Sequence, residues 1–116
     1  MDNSLLIETK EAVTQWVKSN HEKQKSNNIS LEILINDDNC LRVELNFGQI
    51  LAEILVTEPY FAPFRYVSFQ AMDVVDGTPA LVHFWYDDKT TKIEDINMAL
   101  DDAVNACLAY QNRLIT

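Results

Sequence analysis

Glycine and proline are scarce in this chain, with two glycines and three prolines in 116 residues. Loops that cradle phosphate need several glycines so that backbone can approach the ligand closely, so that class of nucleotide site is excluded. Disordered, low-complexity segments accumulate proline and glycine, and neither end of the chain has that composition. The two cysteines, Cys40 and Cys107, are too few and too far apart for a disulfide scaffold or a zinc site. No apolar run approaches the roughly 18 residues of a membrane-spanning helix. Met1-Asp2-Asn3 also lacks the basic start of a signal peptide, so the expected location is the cytoplasm.

Positive charge is short as well. Eighteen acidic residues face nine basic ones, a net charge of −9. Asp2, Glu8, Glu11 and Glu22 are balanced by Lys10, Lys18, Lys23 and Lys25, so the whole excess falls in residues 26–116. Such a surface repels phosphate backbones, which argues against nucleic acid and anionic membrane as partners. It favours a basic protein or a cationic ligand, although acidity also serves solubility alone.

What is present is periodicity. Ile93, Ile96, Leu100, Ala103, Val104, Cys107, Leu108, Leu114 and Ile115 recur at the 3.6-residue period of an amphipathic helix. Thr91 and Glu94 stand at capping-box spacing at its start. A first helix is expected from about Ser4 to Gln24, with Leu5, Leu6, Thr9, Ala12, Val13, Trp16 and Val17 on one arc and Ile7 outside it. A polar connection, Lys23 to Asn28, follows.

From Ile29 the period becomes two. Ile29, Leu31, Ile33 and Ile35 alternate with Ser30, Glu32, Leu34 and Asn36, and Leu41, Val43, Leu45 and Phe47 with Cys40, Arg42, Glu44 and Asn46 after the turn Asp37-Asp38-Asn39. Gly48 is read as a hairpin turn, with a bulge as the alternative. Ile50 to Thr57 forms the third strand. Pro59 and Pro63 then break the ladder, because proline cannot donate to it. Arg65 to Val74 makes the fourth strand and Asp76-Gly77 the next turn. Ala80 to Tyr86 is the fifth strand, apolar on both faces, as for a strand covered twice or lying centrally. The predicted fold is one α+β domain over residues 1–116, a two-layer sandwich of order α-β(4-5)-α, with an antiparallel meander sheet and both terminal helices on one face.

Candidate chemistry is thin. Acidic doublets occur at Asp37-Asp38, Asp87-Asp88, Glu94-Asp95 and Asp101-Asp102, but none has the spacing of a calcium loop, and Asp95 and Asp102, seven apart on one face of the last helix, read as solvent-facing. His83 among aromatics reads as structural, and no strained nucleophile turn is present. Cys107 falls on the buried arc and Cys40 lies beside acids, so neither suits a nucleophile. No catalytic residue, metal site or cofactor is expected.

Two apolar surfaces stand out as partner-binding candidates. One is the sheet face away from the helices, carrying Leu34, Leu51, Leu55, Tyr66 and Met72 together with one of two alternating sets on the fifth strand. The other is the loop with Tyr60, Phe61 and Phe64 between prolines. The leading expectation is a non-enzymatic interaction module that binds a basic protein or forms a homodimer. Immunity proteins, antitoxins and export chaperones are acidic domains of similar size, an analogy of size and charge only. The helix–strands–helix order loosely resembles secretion chaperones, whose helix between the strands is missing here. The alternatives are a ligand-binding domain or small enzyme with a sheet–helix cavity near His83 and Tyr66, and a structural assembly component.

Overall fold

The alternation and the two helical arcs assemble into a sheet with one face under two helices. The structure, a computed structural model, describes residues 4–58, 66–74 and 79–115. Its elements are α1 (Ser4–Ser26), β1 (Ser30–Asn36), β2 (Cys40–Asn46), β3 (Ile50–Thr57), β4 (Val67–Asp73), β5 (Ala80–Tyr86) and α2 (Ile93–Ile115). The strands form one antiparallel meander in the order β1-β2-β3-β4-β5. Both helices pack on the same face, α1 mainly over β1 and β3 and α2 over β4 and β5.

Directly opposed residues on antiparallel strands point to the same side, so the register fixes each face. Leu41, Val43 and Leu45 meet Val56, Ile54 and Ala52, which in turn meet Val67, Phe69 and Ala71. All are buried and form the core with Leu6, Val13, Trp16 and Val17 of α1 and Ile96, Leu100, Val104 and Cys107 of α2. The Trp16 indole N–H donates to the Asp101 carboxylate at 2.9 Å, tying the helices together across the sequence.

Local chemistry explains where the elements stop. α1 runs to Ser26, two residues beyond the predicted end, because the segment expected as a polar connection closes the helix itself. Asn28 takes φ 63°, a left-handed conformation that asparagine tolerates. The Asn28 amide then donates to the Lys25 carbonyl at 3.0 Å and the Ile29 amide to the Gln24 carbonyl at 2.9 Å, a Schellman closure. The Asp37 carboxylate accepts the Asn39 amide at 2.9 Å in the β1–β2 turn. Gly48 closes a β2–β3 hairpin at φ 97°, where the Phe47 amide donates to the Ile50 carbonyl at 2.9 Å.

Two expectations need correction. The Thr91–Glu94 capping box does not form. The Thr91 hydroxyl instead accepts the Asp88 amide at 3.1 Å, and the returning carboxylate is that of Asp95, which takes the Lys92 amide at 3.2 Å. A separate turn at Asp88–Thr91 consumes the threonine, so the cap moves one residue on. Second, β5 is neither central nor covered twice. It is an edge strand with α2 on one face only, and its two-sided apolarity leaves Leu81 and Phe84 half exposed, at 56% and 50%. Asp87 is fully buried, and its Oδ1 accepts the backbone amides of Tyr66 at 2.7 Å and Val67 at 2.9 Å. It pins the start of β4 to the end of β5. The Asp76-Gly77 turn lies outside the described residues.

Candidate functional site

The sheet face away from the helices is the most distinctive surface of the molecule. Three rows of side chains cross it, each row read from the strand register. The first is Ser30, Asn46, Leu51, Met72 and Leu81. The second is Glu32, Glu44, Glu53, Gln70 and Phe84, and the third Ile35, Arg42, Leu55, Ser68 and Tyr86. A one-residue irregularity in each outer strand determines who belongs. Leu34 is the extra residue of β1, so Ile35 pairs with Arg42. Val82 is the extra residue of β5, so Leu81 pairs with Met72 and faces outward while Val82 packs against the core. Each bulge moves the alternation by one.

The rows divide the face into two halves. On β3 to β5 apolar side chains predominate, Leu51, Leu55, Met72, Leu81, Phe84 and Tyr86, with Gln70 and Ser68 of β4 and Glu53 of β3 among them. The Phe84 and Tyr86 rings lie 5.5 Å apart and tilted at 55°. On β1 to β3 it is acidic, because Glu32 opposes Glu44 and Glu44 opposes Glu53 on adjacent strands. Like charges directly opposed destabilise a sheet by roughly 0.2–1 kcal/mol per pair. Among the described residues one ion pair relieves this row, Arg42 Nε to Glu53 Oε2 at 2.6 Å. A shallow depression at the junction of the halves is lined by Arg42, Glu44, Leu51, Glu53, Gln70 and Met72.

Leu51, Leu55 and Met72, expected as partner-binding residues, therefore lie together on this face. Tyr66 is half buried, packed against the core cluster, with its backbone held by Asp87 and Thr57. Tyr60, Phe61 and Phe64 lie outside the described residues. Leu34 sits at the β1 bulge, with 41% of its surface exposed. Of the two sets open on the fifth strand, neither is realised whole: the bulge combines Leu81 from one with Phe84 and Tyr86 from the other. Sequence reasoning missed the glutamate row, because its members come from three strands and only the register unites them.

Other candidates resolve into structural roles. His83 faces the helix side opposite Ala71, its ring edge-on to Phe69 at 5.9 Å. The Asp88 carboxylate holds the Thr90 amide at 2.8 Å, and that of Asp101 holds the Trp16 indole. Among the described residues no three His, Cys, Asp or Glu side chains gather as metal ligands. Burial pushes the Cys107 thiol up to about 11, far from a thiolate at neutral pH. Burial, then the Asp37 charge, also raises Cys40, with Arg42 opposing. Both effects disfavour nucleophilic chemistry. The centre of the layer between sheet and helices is filled by Val43, Ile54, Phe69 and Leu100, each fully buried, and an open cleft lies at its margin between α1, Asn36 to Asn39 and the start of α2. Among the described residues no helix is long and apolar enough to cross a membrane. Comparison with known proteins returns no match, since no family model, curated protein or solved structure is significantly similar to the chain.

Proposed function

We propose that this chain is a non-enzymatic interaction module that captures a basic protein partner on its open sheet face. One observation carries the reading: a row of three opposed glutamates borders an apolar half-face that no described element covers. An apolar surface of this kind gains by leaving water, and the adjoining acids repel one another unless cations arrive. A partner with both apolar and basic groups satisfies the two demands at once. Charge complementarity then speeds encounter and selects against acidic competitors.

Self-association answers only the first demand. Two copies meeting here bring, among the described residues of this face, one cation each, Arg42, already paired with its own Glu53, against three glutamates, so the heteromeric reading is preferred over the homodimer. The filled layer around His83 gives the ligand-cavity alternative no specific support.

The test is affinity capture from the native lysate with wild type, Leu55→Glu, Glu44→Lys and, as control, Asp102→Ala. Capture of a basic protein, released by salt, lost with the two face variants and kept with the control, is expected. Equal capture by all four proteins overturns the proposal. So does light scattering that shows wild type to be a stable dimer dispersed by Leu55→Glu.

A further inference from the structure

We infer that the partner segment seated on this face is a basic amphipathic α-helix lying along β4; this rests on the reading proposed above. A partner can reach an antiparallel sheet by adding a strand at an edge or by laying an element on a face. Both edges are poorly suited to the first mode. β1 carries an extra residue at Leu34 and β5 carries one at Val82, and bulges interrupt the even ladder that an incoming strand must match. The turn of β1 into β2 is also held from the helix side, where the Lys10 ammonium donates to the Asp37 carbonyl.

The face fits a helix in its dimensions. From β3 to β5 the apolar half spans two strand spacings, about 10 Å, which matches the diameter of one helix. Along the strands it extends from Leu51 to Leu55 on β3, about 13 Å, or roughly nine helical residues. Leu51, Met72 and Leu81 mark one end of this strip and Leu55, Ser68 and Tyr86 the other, while Glu53, Gln70 and Phe84 cross its middle, so β4 itself presents Met72, Gln70 and Ser68. A helix here straddles Gln70 and Ser68, sets its apolar side chains against Leu51 and Leu55 on one flank and Leu81, Phe84 and Tyr86 on the other, and completes a third layer over the sheet.

Charge gives that helix a handed polar flank. Glu53 borders the strip on β3, with Glu44 and Glu32 successively farther out. No described acid of this face lies on β5. Lysines or arginines on the flank toward β1 therefore meet carboxylates, their long stems covering the shallow depression beside Gln70 and Met72. Arg42 already engages Glu53, so Glu44 and Glu32 are the expected main anchors.

Three synthetic peptides of about 14 residues, some four helical turns, test this against the full-length protein. One places leucines at helical period with lysines along a single flank. A second has the same composition in strict alternation, and a third replaces lysine by glutamate in the helical pattern. Calorimetry gives affinities and amide chemical shifts locate binding. The helical cationic peptide is expected to bind at least about tenfold more tightly than the alternating one. It should shift Glu44, Leu51, Met72 and Phe84, gain helical circular dichroism, weaken with salt, and lose binding to Glu44→Lys. Equal affinity for the alternating peptide, or shifts confined to the β1 or β5 edge, overturns the helix and leaves the basic-partner reading in place. Failure of both cationic peptides to bind, or shifts on this face that follow protein concentration alone, overturns both. If Glu44→Lys does not fold, the comparison of the three peptides on wild type decides the matter.

Discussion

Replacing Glu44 by Gln should raise the stability of the isolated protein, even though it removes a charge from the candidate site. Glu44 opposes Glu32 on one side and Glu53 on the other, and its own strand offers Arg42 two residues away. Taking each carboxylate pair at about 6 Å in water-like dielectric, the repulsion is about 0.7 kcal/mol per pair without salt. Screening leaves about 0.6 kcal/mol per pair at 0.01 M salt and about 0.3 at 0.15 M. The lost attraction to Arg42, at about 7 Å, offsets less than half of the total. The net gain for Glu44→Gln is about 0.7 kcal/mol at 0.01 M salt, about 0.4 at 0.15 M and about 0.1 at 1 M. Urea denaturation reads this as a midpoint shift of a few tenths molar, shrinking as salt is added, with the slope m unchanged. A variant less stable than wild type at low salt would refute the reasoning. It would mean that the row is already neutralised within the chain and makes no demand on a partner.

Leu100→Ala should cost about 2–5 kcal/mol, since the side chain is fully buried between α2 and the sheet, and Leu100→Asp should leave no cooperative unfolding transition. Asp101→Ala should cost about 1 kcal/mol by orphaning the Trp16 indole, with altered tryptophan fluorescence, whereas exposed Asp102→Ala should stay within about 0.5 kcal/mol in the same denaturation series. Asp87→Ala leaves the Tyr66 and Val67 amides without their acceptor, so stability should fall by about 2–4 kcal/mol and both amides should lose hydrogen-exchange protection. The Cys107 thiol titrates at about 11 in the folded chain against 9.0 for a solvated cysteine, so its contribution is complete below pH 9 and is lost as pH rises toward 11. The loss reaches up to about 2–3 kcal/mol, and Cys107→Ala should show a correspondingly flatter stability profile above pH 9 than wild type.

The elements themselves were legible in the sequence because their signals are local. The helical arcs of α1 and α2, the alternation through Leu41, Val43 and Leu45, and the turn residues Asp37, Asn39 and Gly48 act within a few positions of one another. Which residues leave the core was also mostly readable, since Val43, Ile54, Val67 and Phe69 alternate cleanly with their outward neighbours. Ends were less so: Thr91 was drawn into the turn with Asp88, a competition that spacing does not reveal.

Pairing and register were decided only by tertiary structure. Side chains alternate with a period of two, so one extra residue at Leu34 and another at Val82 reassign every position beyond them. No local pattern announces those bulges, which is why the outward set of β5 could not be chosen, and its apolarity on both faces read as a strand covered twice or lying centrally. The same holds for the site. Glu32, Glu44 and Glu53 are scattered singly along three strands in the sequence and become neighbours only when the meander brings those strands side by side. Asp87 takes its role for the same physical reason. Its carboxylate becomes an interior acceptor because the ends of β4 and β5 leave two amides in need of one.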